Sequence, residues 1–170
     1  MKNTFSSDCE FTKIDCEAKP ASTLTAFGFA FNAFAPQFAS LFTPLLLPST
    51  SPNPNITVPI INDTVSIGDG IKIQLPGIYQ ISYKLSISLD NSNAIPEANR
   101  FFLSLDTPHN IIPGSSTAVR SNVIGTGEAD ISSGVILINL NPSNFIQIVP
   151  VELFGSVDVR AAALTVVQIG

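Results

Sequence analysis

The sequence predicts an all-β sandwich or jelly roll, and three observations predict it. Residues 79–89 alternate without a break: Tyr79, Ile81, Tyr83, Leu85, Ile87 and Leu89 are apolar, whereas Gln80, Ser82, Lys84, Ser86 and Ser88 are polar. Successive side chains of a strand point to opposite faces, so a period of two marks a strand buried on one side. The remainder reads as short apolar runs divided by Gly, Pro and Asn turn signals, about eight to ten strands in all. No segment sustains a helical period.

Each element can be justified in order. Residues 1–20 hold Asp8, Glu10, Asp15 and Glu17 with Lys2, Lys13 and Lys19, so charge is concentrated there, and they end at Pro20. Such a composition cannot supply a core, so a flexible acidic tail is expected over 1–20 and a sandwich domain over 21–170. In residues 25–32 Phe27, Phe29 and Phe31 alternate with Gly and Ala, which predicts a strand with one bulky face. Phe34, Phe38 and Phe42 recur every four residues, but Pro36 and Pro44 argue against a long helix. The prolines that follow predict a loop or crossover through residues 44–55. Short strands are expected over 56–61 and 65–67, then a turn at Gly68-Asp69-Gly70. A strand over 71–75 leads into the long one, which Pro76-Gly77 opens and Asp90-Asn91 closes. Residues 90–99 read as a loop, 100–105 as a strand, 106–116 as a loop and 117–124 as a strand that Gly125 and Gly127 end. Residues 135–140 are apolar on both faces, Asn141-Pro142-Ser143-Asn144 is a turn, and Pro150 in the next strand suggests an edge or a bulge. In the last strand Val157, Val159, Ala161, Ala163, Thr165, Val167 and Ile169 are expected on one face. The other is expected to hold Asp158, Arg160, Ala162, Leu164, Val166 and Gln168.

The composition bounds the function. At 170 residues the chain is one domain, with or without a tail, and can bury a core without disulfides. Only 12% of its residues are charged, against roughly 25% in an ordinary soluble domain. Ser, Thr, Asn and Pro fill the gap, which points to a surface covered by copies of itself or by partners. Doubly apolar strands lead to the same expectation, with Val135, Leu137, Leu164 and Val166 at a subunit interface. The net charge of −5 argues against nucleic acid, which needs a basic stripe. No apolar run approaches the roughly 18 residues of a membrane span. The first twenty residues carry four acids and no apolar stretch, so no signal peptide is expected. The sequons at Asn55 and Asn62 are then expected to be incidental.

Chemistry is sparse. The single histidine, His109, sits in a loop. There is no Gly-x-Ser-x-Gly elbow and no HExxH or paired His/Cys spacing, so neither a serine hydrolase nor a zinc site is indicated. Gly68-Asp69-Gly70 and Gly125-Thr126-Gly127 serve as turns rather than phosphate loops. Cys9 and Cys16 remain thiols in a reducing compartment and become candidates for intermolecular cross-links on an oxidised surface. A self-cross-linking enzyme would need a buried lysine beside a carboxylate, and Lys72 and Lys84 fall on polar strand faces. The chain is expected to be non-enzymatic, without cofactor or metal.

Two resemblances sharpen these expectations. Gly77-Ile78-Tyr79-Gln80-Ile81-Ser82, Ser133-Gly134-Val135-Ile136-Leu137-Ile138-Asn139-Leu140 and the apolar last strand resemble the C1q/tumour-necrosis-factor jelly roll. That family implies about ten antiparallel strands and a tight homotrimer, with the Gly-x-Tyr strand and the last strand near the threefold axis. Its frequent Gly-Asp turn is Ser143-Asn144 here. Residues 5–20, 39–48 and 160–166 resemble the exosporium basal-layer protein family of Bacillus spores (BxpB/ExsF).

The second resemblance implies a structural role. The protein would sit in the basal layer of the spore's outermost shell, synthesised in the mother-cell cytoplasm without a signal peptide. It would contact other basal-layer proteins and hold collagen-like glycoprotein filaments through an attachment that behaves as covalent. Carboxylates are the implied acceptors. Asp8, Glu10, Asp15 and Glu17 are favoured because a flexible tail can reach a partner, followed by Glu128 and Asp130 on an expected Gly-rich turn. An exposed carboxylate is a poor acyl donor, so attachment needs an outside activator or a water-excluding contact. The alternative function is a C1q-like trimeric recognition module, which a collagen stalk or a calcium-binding apex would have marked.

Overall fold

A computed structural model describes residues 26–33, 36–51, 56–57, 70–91, 97–121 and 125–170. Its strands run in chain order as β1 (Phe27–Asn32), β2 (Gln37–Phe38), β3 (Ser49–Ser51), β4 (Ile56–Thr57), β5 (Gly70–Ile73) and β6 (Gly77–Asn91). They continue as β7 (Glu97–Leu105), β8 (Thr117–Ser121), β9 (Gly125–Ser132), β10 (Ile136–Leu140), β11 (Phe145–Glu152) and β12 (Ser156–Gln168). All pairings are antiparallel. Among the described residues, one sheet has seven strands in the order β10-β6-β12-β1-β3, with β9 also on β6 and β2 also on β12; the other has five, β4-β5-β11-β7-β8.

Burial follows the alternation of β6. Tyr79, Ile81, Tyr83, Leu85, Ile87 and Leu89 all face the core. They meet Ile71, Ile73, Phe101, Leu103, Ile146 and Ile148 of the five-stranded sheet. The Tyr83 hydroxyl donates to the Phe101 carbonyl at 2.7 Å and also lies 3.1 Å from that of Ser115. Burial pushes this phenol's pKa well above the usual tyrosine range, against a smaller lowering contribution from a backbone hydrogen bond at Thr117. Ser115 is itself buried and receives the Leu103 amide at 2.9 Å. The Tyr79 hydroxyl donates to the Leu75 carbonyl at 2.8 Å, so both tyrosines are core residues with satisfied polar tips.

Residues 39–45, which lead into the expected loop or crossover, link the two sheets. The Ala39 amide donates to Val157 of the large sheet, and those of Phe42 and Leu45 donate to Pro150 and Ile148 of β11. This segment takes over the β11 edge where β5 stops, and it buries Leu45 and Leu47. Pro150 lies beside a register shift in β11, the expected bulge, although β11 is a central strand and not an edge. Gly70 is held by close approach, since a Cβ there would lie 2.2 Å from the Ile146 carbonyl oxygen.

Four expectations are corrected. Residues 125–130, expected as a Gly-rich turn, lie within β9, so Glu128 and Asp130 stand on a strand. A short piece of strand, β3, interrupts the expected proline-rich loop, whereas β4 falls within the strand expected over 56–61. The faces of β12 exchange along its length because a bulge between Val159 and Ala161 inserts one extra residue, Arg160, opposite β6. Val157 and Val159 point inward before the bulge; Ala162, Leu164 and Val166 do so after it. Leu164 and Val166 are consequently fully buried inside the sandwich and cannot form a subunit interface with their side chains. The strand expected over 65–67, the Gly68-Asp69 half of the turn, and the tail with Cys9, Cys16, Asp8, Glu10, Asp15 and Glu17 lie outside the described residues.

Candidate functional site

The outer face of the seven-stranded sheet gathers the residues that the core does not use. Registers set its cross-strand rows, because directly opposed residues share a face. Phe27, Val167, Gln80 and Leu137 form one row across β1, β12, β6 and β10. Phe29, Thr165 and Ser82 form the next. Then come Phe31, Ala163, Lys84 and Ser132, followed by Ala161, Ser86 and Asp130. Phe38, Asp158, Ser88 and Glu128 make the last.

The face is polarised along its strands. At one end Leu137 is 62% exposed and Val135 59%, and Phe27, Ile78 and Ile169 are exposed beside them. The backbone there is tied down: the Ile169 amide donates to the Ile78 carbonyl and the Ile78 amide to Gly170, both at 2.8 Å. The middle holds small side chains and Lys84, flanked on β1 by Phe29 and Phe31. The far end is charged. Arg160, pushed out by the bulge, pairs with Glu128 and lies 3.5 Å from the Ser88 hydroxyl. Asp158 is half-buried, and its Oδ1 is shielded from water without a hydrogen-bond partner among the described residues.

A trough of about 450 Å³ opens in the middle of this face. Ala161, Ala163 and Ser86 floor it, Phe29 and Phe31 wall one side, and Asp130 and Ser132 wall the other, with Lys84 within. The two phenylalanine rings stack with centroids 5.3 Å apart. Alternation supplies this geometry: β1 turns Gly28 and Ala30 inward, where the sheets pack closely, and its bulky face outward. That direction was missed in the sequence, although small residues between three phenylalanines are its signal.

The structure separates the proposed site residues into groups. Val135 and Leu137 stand exposed at the apolar end, whereas Leu164 and Val166 belong to the core. Glu128 is engaged by Arg160, and Asp130 borders the trough. His109 lies against Phe42, ring centroids 4.6 Å apart, on a loop away from this face. Among the described residues, no group of three or more His, Cys, Asp or Glu side chains could hold a metal ion. No described helix is long and apolar enough to cross a membrane.

No family model and no curated protein matches the sequence. Solved structures do match the fold. The globular domain of zebrafish complement C1qA is similar with a TM-score of 0.51 and 12% identity, over 85% of this chain and 97% of that one. The Eiger TNF of S. frugiperda is similar with a TM-score of 0.53 and 12% identity, over 86% and 93%. The chain has a C1q/TNF-like jelly-roll fold.

Proposed function

We propose that this chain is a structural, non-enzymatic module that closes into a homotrimer through the outer face of its seven-stranded sheet. We place it in the basal layer of a Bacillus spore exosporium, where it anchors collagen-like glycoprotein filaments among other basal-layer proteins. The observation that carries the self-association is the exposed apolar end of that face, spread over β1, β12, β6 and β10 around Leu137. Contiguous apolar surface of this kind marks an interaction site, and an obligate interface buries on the order of 2,000 Å² or more. The spore-surface setting is supported by the sequence resemblance of residues 5–20, 39–48 and 160–166, and by the 12% charged fraction.

Light scattering tests the assembly. At micromolar concentration the protein is expected at three times its 18.0 kDa chain mass. Leu137→Asp is expected to yield a folded monomer, because a charge is costly to bury in an apolar contact. A monomeric wild-type protein overturns the trimer. For anchoring, high-mass complexes are extracted from spores and peptide-mapped, with Asp8, Glu10, Asp15 and Glu17 converted to amides. Filament attachment is expected to fall; undiminished attachment elsewhere removes those acids as principal acceptors. Complexes without filament protein would turn the reading to a trimeric recognition head.

A further inference from the structure

Among the described residues, no side chain fills the trough. Alanines floor a hole between two phenylalanine rings and a polar wall. Lys84, which stands in it, makes no ion pair among the described residues. On the same face but at its margin, β2 carries Phe38, 79% exposed and the most exposed large apolar side chain among the described residues. Phe38 lies opposite Asp158, the half-buried acid with one carboxylate oxygen unpartnered among the described residues.

These two places are complementary. One is an apolar knob beside an acid whose hydrogen bonding is incomplete. The other is an apolar hole beside an unpaired lysine. Side chains on one face of a sheet stand roughly parallel, so Phe38 cannot turn back into the trough of its own chain. Hole and knob are distinct patches, and engaging one leaves the other free on each copy. Such a head-to-tail contact is satisfied throughout only when a ring closes.

Resting on the self-association reading above, we infer that Phe38 of one copy inserts into the trough of the next, over Ala163 and against the Phe31 ring, with Lys84 of the trough meeting Asp158 beside the knob. The contact places a buried aromatic anchor next to a desolvated charge pair, the arrangement that concentrates interface energy. It also sets direction, because a reversed copy would bring the Phe38–Asp158 edge against its like.

Photo-cross-linking of the full chain tests this. Phe38 is replaced by p-benzoylphenylalanine, and equal amounts of light and heavy-isotope protein are mixed, assembled and irradiated. Adducts joining a light to a heavy chain are expected on residues 29–33 or 161–163. A sample that is oligomeric before irradiation but yields adducts only elsewhere, or only within one chain, overturns this contact and leaves the self-association reading intact. A sample that scatters as a monomer overturns both. Phe38→Ala provides the second measurement, since an exposed side chain can be truncated without loss of the fold. It is expected to weaken self-association roughly tenfold or more at unchanged thermal unfolding of the protomer. Unchanged self-association overturns the inference.

Discussion

Strands β6 and β12 lie side by side for almost their whole length, yet they obey different rules. β6 keeps a single phase from Tyr79 to Leu89, every odd residue buried. β12 changes phase at Arg160, so odd residues are buried before the bulge and even residues after it. The difference has a volume argument. Unbroken alternation would send Ala161, Ala163, Thr165 and Val167 into the core. The bulge sends Ala162, Leu164 and Val166 inward instead, and Leu and Val bury more apolar area than Ala and Thr. It also leaves the outward row small, which is what floors the trough. A period of two identifies a strand, but its phase holds only between bulges.

Core truncation tests this contrast most severely. Leu164 faces inward only because the phase changes, and it is fully buried. Leu164→Ala is expected to lower unfolding free energy by about 2–5 kcal/mol, read by denaturant titration. The same truncation at exposed Leu137 is expected to leave the protomer's stability within about 0.5 kcal/mol. A mild Leu164→Ala would mean that the assigned phase of β12 is wrong.

Tyr83 tests the strand that keeps its phase. Its folded pKa is raised above the ordinary value of 10.0. The unfolded chain therefore loses this proton first, and stability is expected to be intact below pH 10 and to fall as pH rises beyond it. Tyr83→Phe is expected to cost about 1–2 kcal/mol at neutral pH through the carbonyls left unpaired at Phe101 and Ser115. It should also remove this residue's share of the alkaline destabilisation. Parallel pH–stability curves for the two proteins would exclude the buried phenol as the cause.

The smallest effect is expected where intuition gives the largest. Deleting one residue from a central strand ordinarily turns every later side chain to the wrong face. Arg160 is the extra residue of the bulge, so its deletion restores an unbroken ladder with Val159, Ala162 and Leu164 still inward. The variant is expected to fold with a melting temperature within a few degrees, losing only an exposed ion pair to Glu128. Failure to fold would show that the bulge is required and not merely accommodated.

By itself the sequence determined the all-β class, the place and phase of β6, the turn at residues 141–144 and the doubly apolar character of residues 135–140. These depend on local alternation and turn chemistry, which neighbouring residues encode directly. Tertiary structure alone decided the rest. Glu128 and Asp130 are strand residues because β6 offers β9 a free edge, although Gly125 and Gly127 signal a turn locally. Phe27, Phe29 and Phe31 face outward because the pairing of β1 with β12 turns Gly28, Ala30 and Asn32 to the core. Leu164 and Val166 belong to the core because a one-residue bulge exchanges the faces of β12. In each case the deciding term is pairing with, or packing against, a strand distant in sequence, and a local pattern read along one strand does not contain it.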